Sequence, residues 1–118
     1  MKITVPVSVG ELLDKISILE IKSIFTDNEY VLKELGELNK IKNTITSYSM
    51  EYMEQLREVN QKLWIIENKL RQLEKEQKFD DEFIELARSV YKQNDLRAVI
   101  KRKINDETQS DYKEIKIY

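Results

Sequence analysis

A ladder of apolar residues in the middle of the chain alternates spacings of four and three residues without a break. Its members are Tyr52, Leu56, Val59, Leu63, Ile66, Leu70 and Leu73. This spacing places all of the side chains along one stripe of an α-helix, and such a stripe is normally buried against partner helices. The pattern predicts a long helix over residues 50–77 in a bundle or coiled coil, and it carries no information about chemistry.

Composition favours a single all-α domain over residues 1–118. Charged residues make up 36% of the chain and hydrophobic residues 41%, which is enough apolar material for a core beneath a highly charged surface. The chain has only two glycines and one proline, so it lacks the frequent turns that a sheet sandwich or barrel needs. A chain of this length is the usual size of one domain.

Charge and residue usage exclude several classes of function. The net charge of −2 is close to balance, which argues against nucleic acid or an anionic membrane as the main partner. Because the chain has neither cysteine nor histidine, it cannot form a disulfide, a thiolate zinc site or a histidine-based triad, and we expect no metal and no cofactor. No apolar run suits a signal peptide or a membrane helix, which predicts a cytoplasmic protein.

Capping residues predict where the other helices begin. Ser8 with Glu11, and Thr26 with Glu29, have the spacing of capping boxes, which start helix 1 and a second helix over residues 28–45. The acidic residues 80–82 suit the start of helix 4. Asp95 is a candidate N-cap for a fifth helix, and one continuous, kinked helix is the alternative.

These elements predict an antiparallel helical bundle with a long coiled-coil-like hairpin. The hairpin consists of helices 2 and 3 and projects from a body of helices 1, 4 and 5. A hairpin of two helices leaves part of its seam exposed, so we expect a homodimer that associates through the hairpin. Apolar residues alternate with polar ones over residues 2–7 and 114–118, which predicts a small two-stranded ribbon between the termini. Two frayed terminal segments are the alternative.

One polar segment near the C-terminus is a candidate anion-binding site. Arg88 and Lys92 are four residues apart, as are Arg97 and Lys101, so each pair projects from one helix face and could bind a phosphate or carboxylate. A solvated basic face is the alternative interpretation. If helix 1 packs beside helix 5, Asp14 and Lys15 meet Arg97 and Lys101. The candidate ligand-binding residues are Asp14, Lys15, Arg88, Lys92, Asn94, Asp95, Arg97 and Lys101.

Two segments of the chain resemble an uncharacterised family of short bacterial and phage proteins known only as a domain of unknown function. They are VPVSVGELLDKISILEIK at residues 5–22 and FIELARSVYKQNDLRAVIKRKIN at residues 83–105. The resemblance implies a role connected with surface glycans, since genes of the family lie near those of glycosyltransferases and tetratricopeptide-repeat proteins. It brings no activity and no catalytic residue, and it implies that the polar residues of both segments belong to the family's motifs.

Two functional hypotheses follow. The first is a non-enzymatic binding or assembly module, with a polar site between helices 1 and 5 for an anionic small molecule or an acidic protein partner. The second is a small all-α enzyme of the chorismate-mutase kind, in which interior arginines and lysines stabilise an anionic transition state electrostatically. No catalytic residue can be assigned for either hypothesis.

Overall fold

The computed structural model describes residues 1–118 and contains four helices. They are α1 (Val9–Phe25), α2 (Glu29–Lys42), α3 (Met50–Lys75) and α4 (Asp81–Glu107). The all-α prediction is confirmed, and so is the long helix that carries the ladder. None of the helices combines the length and the apolar content that a membrane crossing requires.

Side-chain caps mark the starts of α1, α2 and α4, whereas α3 begins without a capping hydrogen bond. The hydroxyl of Ser8 accepts a hydrogen bond from the Glu11 amide at 3.0 Å, so α1 begins where the sequence predicts. The cap of α2 is Asn28, whose Oδ1 accepts from the Tyr30 amide at 2.9 Å, and the predicted capping box at Thr26 does not form because the helix starts two residues later. Each cap satisfies a backbone N–H that the first turn leaves unpaired.

The predicted break between helices 4 and 5 is wrong, because α4 is continuous through Asn94 and Asp95. Neither side chain caps a backbone amide at this point. Asn94 accepts instead from the Arg97 side chain at 3.3 Å, and Asp95 accepts from the Tyr118 hydroxyl at 3.1 Å. With no glycine or proline in the segment, nothing interrupts the helix.

The packing order also differs from the prediction. The long antiparallel pair consists of α3 and α4, joined by a short turn, and the backbone of α2 comes close only to α1. A hairpin of α2 and α3 is therefore wrong. Helix α1 contacts the other three helices, and α1 and α3 together supply most of the core. The core cluster comprises Leu12, Leu13, Ile16, Met53, Leu56, Val59, Leu63, Ile100 and Ile104.

The structure contains no strand, so the predicted ribbon between the termini does not form. The two terminal segments follow different paths. Ile3, Val5 and Val7 line a groove beside α1 and α2, whereas the C-terminal segment lies along α4, where Lys101 contacts Glu114 at 2.8 Å. The segments therefore separate after leaving the same end of the bundle.

Candidate functional site

A buried carboxylate, Asp14, lies where α1, α3 and α4 meet. Its side chain is only 1% exposed. Arg97 from α4 donates from Nε to Asp14 Oδ1 at 2.9 Å, and a second guanidinium nitrogen contacts Oδ2, so the pair is bidentate. Hydrogen bonding to Asp14 raises the pKa of Arg97 despite the cost of burial. A charge at this depth requires such a partner, because desolvation without one is unfavourable.

Two neutral side chains complete the coordination of Asp14. Asn60 of α3 donates from Nδ2 to Asp14 Oδ1 at 2.9 Å and to the Ser17 hydroxyl at 2.6 Å. Ser17 in turn donates to the backbone carbonyl of Asp14 at 2.7 Å. We name this group, with Arg97 and Lys101, the Asp14 cluster. The cluster connects α1, α3 and α4 through buried polar contacts.

Lys101 is the second cation of the cluster, and it is 5% exposed. Its Nζ contacts Glu11 at 2.7 Å, Glu114 at 2.8 Å and, more distantly, Asp14 at 3.8 Å. Burial acts to lower the pKa of Lys101, but the hydrogen bonds with the two glutamates outweigh it and the pKa is raised. The Lys101 hydrogen bond, followed by that of Lys116, lowers the pKa of Glu114 to about 2. Glu114 therefore stays ionised at neutral pH.

Lys101 and Arg97 open onto a cavity of about 210 Å³, which we call the polar cleft. It lies between α1 and α4 and is closed on one side by the C-terminal segment. The lining residues are Glu11, Asn94, Arg97, Ala98, Lys101, Glu114 and Lys116. Three cations face two carboxylates here, and Asp14 beneath them supplies a third, so the charges of the cleft balance internally.

The structure brings together half of the predicted site residues. Asp14, Asn94, Arg97 and Lys101 meet at the polar cleft or directly beneath it. Lys15 points away and pairs with Glu34 of α2 at 2.9 Å. Arg88 and Lys92 are exposed on the outer face of α4 and form no ion pair, and Asp95 bonds only to Tyr118.

Sequence reasoning missed Asn60 and Glu114, and it left Glu11 and Ser17 out of the candidate site. Asn60 had a detectable signal, since it lies four residues after Leu56 and three before Leu63, which places an amide on the buried stripe of α3. Glu114 had none, because it is far from Lys101 in the sequence and sits in a segment without helical periodicity.

A second depression, the Trp64 groove, lies on the other side of Arg97 and has a volume of about 500 Å³. The ring of Trp64 stacks on Phe25, with centroids 5.3 Å apart and planes inclined by 14°. The groove is lined by apolar Ile18, Ile21, Leu63 and Trp64, by amides of Asn60, Asn68 and Asn94, and by charged Glu67, Arg71 and Arg97. An apolar wall, several amides and two guanidinium groups thus face one space.

Arg97 connects the two depressions, because it lines both of them. Its side chain is 27% exposed, so part of the guanidinium group faces solvent while Asp14 holds the remainder. The structure contains no group of three or more acidic side chains arranged to hold a metal ion.

Comparison with known proteins gives a family and no activity. The model of a family of unknown function matches residues 1–118, which is the whole chain. No curated protein matches, and no solved structure matches.

Proposed function

The chain belongs to DUF6165, a family of unknown function, so its function must be inferred from the structure. We propose that it is a non-enzymatic binding module for a small anionic molecule. The site we assign is the Trp64 groove, where α1, α3 and α4 meet. The observation that carries the proposal is the placement of Arg97. Asp14 and Asn94 accept hydrogen bonds from all three guanidinium nitrogens and hold the group in one orientation, while the side chain stays 27% exposed and lines a groove with an apolar wall.

The cation of the groove that an anion could bind is Arg71. Arg97 lines the groove too, but its charge is compensated by Asp14, and Glu67 contributes one negative charge. Arg71 is exposed and forms no ion pair, so it is free to bind a carboxylate or phosphate. Aromatic and aliphatic side chains with a few polar groups are typical of small-molecule sites. The ligand class that fits is a ring-containing molecule with one anionic group.

The polar cleft supports this role less well. Its cations already contact Glu11, Glu114 and Asp14, so an added anion would meet no excess of positive charge. The same argument weighs against the chorismate-mutase-like alternative, because electrostatic stabilisation of an anionic transition state needs cations that the ground state leaves uncompensated.

The proposed connection with surface glycans comes from the family resemblance alone, and it makes phosphosugars the first ligands to test.

The fluorescence of Trp64 reports directly on this groove, because the chain has a single tryptophan. We expect at least one member of a panel of phosphosugars, nucleotides and dicarboxylates to change that emission in a saturable manner. Arg71→Ala should weaken the binding by about tenfold, the usual scale for loss of a charge-assisted hydrogen bond. Fluorescence titration of the native and variant proteins measures both effects.

Arg88→Ala is the matched control, since Arg88 is also exposed but lies outside the groove. It removes the same charge and should leave the affinity unchanged. The proposal is wrong if no ligand of the panel changes the emission, or if both variants weaken binding equally.

We also propose that two copies of the chain associate, through the surface of α2 and the N-terminal segment. No residue of α2 is buried, and its backbone comes close only to α1. A groove of about 450 Å³ beside it is lined by apolar residues of both segments and by charges of both signs. A self-complementary surface needs both signs, because the same patch meets itself across a two-fold axis. The ladder of α3 is less suited, since α1 and α4 cover it.

Ile41→Lys tests this association. Ile41 is 51% exposed and lines the groove beside α2. We expect the native protein to sediment at twice the chain mass of 14.1 kDa and the variant to sediment as a monomer, because a buried lysine opposes association. Ile84→Lys is the control, since Ile84 is 52% exposed on α4 and should not affect the mass. A native protein that sediments as a monomer would contradict the assignment.

A further inference from the structure

The C-terminal segment, residues 110–118, follows α4 in the reverse direction and is held by four side chains. The Ser110 hydroxyl accepts from the Val9 amide at 3.1 Å, and Lys113 Nζ donates to Asp106 Oδ1 at 2.6 Å. Glu114 accepts a hydrogen bond from buried Lys101 at 2.8 Å. Four residues later, the hydroxyl of Tyr118 donates to Asp95 Oδ1 at 3.1 Å. Since Lys101 and Asp95 lie six residues apart on α4, the segment covers more than one turn of the helix.

Backbone contacts contribute little to holding this segment. The amide of Ser110 donates to the Asn105 carbonyl at 2.9 Å, and beyond it residues 111–118 make no backbone hydrogen bond with another backbone group. All of residues 111–118 are exposed. A segment with few buried contacts and no backbone pairing opens at low free-energy cost. The segment can therefore leave α4 while the four helices stay folded.

The surface beneath the segment is shaped for an extended peptide. The polar cleft receives the carboxylate of Glu114. A second depression beside it is lined by Val90, Tyr91, Asn94 and Asp95 from α4 and by Lys116 and Tyr118 from the segment. Asn94 lines both depressions, so they form one continuous surface, which we call the α4 peptide groove.

We propose that the α4 peptide groove is a recognition site for an extended peptide that presents a carboxylate side chain, and that the C-terminal segment is its intramolecular ligand. The contact that Glu114 of the segment makes with Lys101 indicates which kind of peptide would bind. Lys101 is buried and contacts two glutamates, so when Glu114 leaves, the Lys101 ammonium group keeps Glu11 and has one vacant position that an incoming carboxylate can take. The partner is a protein segment that presents a glutamate or aspartate in extended conformation. Its binding requires displacement of residues 110–118.

This proposal does not depend on ligand binding in the Trp64 groove. The two surfaces share Arg97 and Asn94 but have separate occupants. Titration with small anions reports through Trp64, whereas peptide binding is measured by the anisotropy of a labelled peptide. Failure of one proposal is therefore distinguishable from failure of the other.

The test uses a fluorescein-labelled peptide with the sequence of residues 110–118, SDYKEIKIY, and the full-length protein. In the native protein the attached segment competes with the peptide. Glu114→Gln removes the charge that holds the attached segment, so we expect this variant to bind the peptide about tenfold more tightly than the native protein does, the scale of one charged hydrogen bond. A peptide with glutamine at the same position should lose a similar factor on the variant.

Glu107→Gln is the matched control, because Glu107 is exposed near the end of α4 and forms no ion pair. It makes the same chemical change and should bind the peptide as the native protein does. Tyr118→Phe removes a further contact of the segment and should raise peptide affinity about threefold, which provides a second test if Glu114→Gln fails to fold. Equal affinity of native and Glu114→Gln proteins for the peptide, or equal binding of the glutamate and glutamine peptides, would overturn the proposal.

Discussion

Replacement of Asp14 by alanine should lower the free energy of unfolding by about 3 to 5 kcal/mol, the usual cost of removing one partner from a buried ion pair. Arg97 would lose both oxygens of its bidentate partner, and Asn60 would lose one of its two acceptors. The total stability of a domain is only about 5 to 15 kcal/mol. The variant should therefore lose a substantial part of the stability of the fold.

Urea unfolding followed by far-UV circular dichroism measures this loss. Glu34→Ala is the control, because it removes the partner of Lys15 in an ion pair on the surface, where such pairs contribute less than about 1 kcal/mol. The double variant Asp14→Ala with Arg97→Ala should lose less than the sum of the single losses, since the two groups act on each other. A loss below about 1 kcal/mol for Asp14→Ala would show that the cluster is not a buried ion pair.

Gly10→Ala should destabilise the fold by about 1 to 3 kcal/mol, the range for an added methyl group in a close-packed site. An added Cβ would lie 2.7 Å from the carbonyl oxygen of Lys101 and 3.0 Å from Asn105 Oδ1. The start of α1 would have to move away from α4. That movement would break the hydrogen bond from the Gly10 amide to Asn105, which is 2.7 Å long.

The other glycine of the chain provides the matched control. A Cβ added to Gly36 would meet nothing within 4 Å, so Gly36→Ala should stabilise α2 by about 0.5 to 1 kcal/mol through helix propensity. Thermal unfolding of both variants at one protein concentration should shift in opposite directions. If Gly10→Ala is as stable as the native protein, the close approach of α1 and α4 is wrong.

The local structure was largely predictable from the sequence. The ladder from Tyr52 to Leu73 gave α3 almost to its ends, and Ser8 gave the start of α1, because periodicity and capping depend on residues close together in the chain. The helix break predicted at Asp95 was wrong because an aspartate can also bond to a side chain instead of capping a helix. In this structure its carboxylate contacts Tyr118, more than twenty residues away.

In the candidate site too, the residue types were predictable from the sequence but their partners were not. Asp14, Arg97 and Lys101 were among the predicted residues, and they meet because α1 lies beside α4. Lys15 and Arg88 have the same kinds of side chain but lie on other faces of their helices. Helical spacing shows which residues share a face, but it does not show which face meets a given partner.

By itself, the sequence determined an all-α chain, the start of α1, the bounds of α3 to within two residues and the apolar stripe that α3 buries. Only the tertiary structure decided that α3 pairs with α4, that α2 packs on α1, and that Glu114 reaches Lys101. Helix formation and capping act over a few residues, so a local pattern is sufficient to predict them. The choice of partner depends on how all the apolar stripes and buried charges are satisfied together, which is a property of the folded chain as a whole.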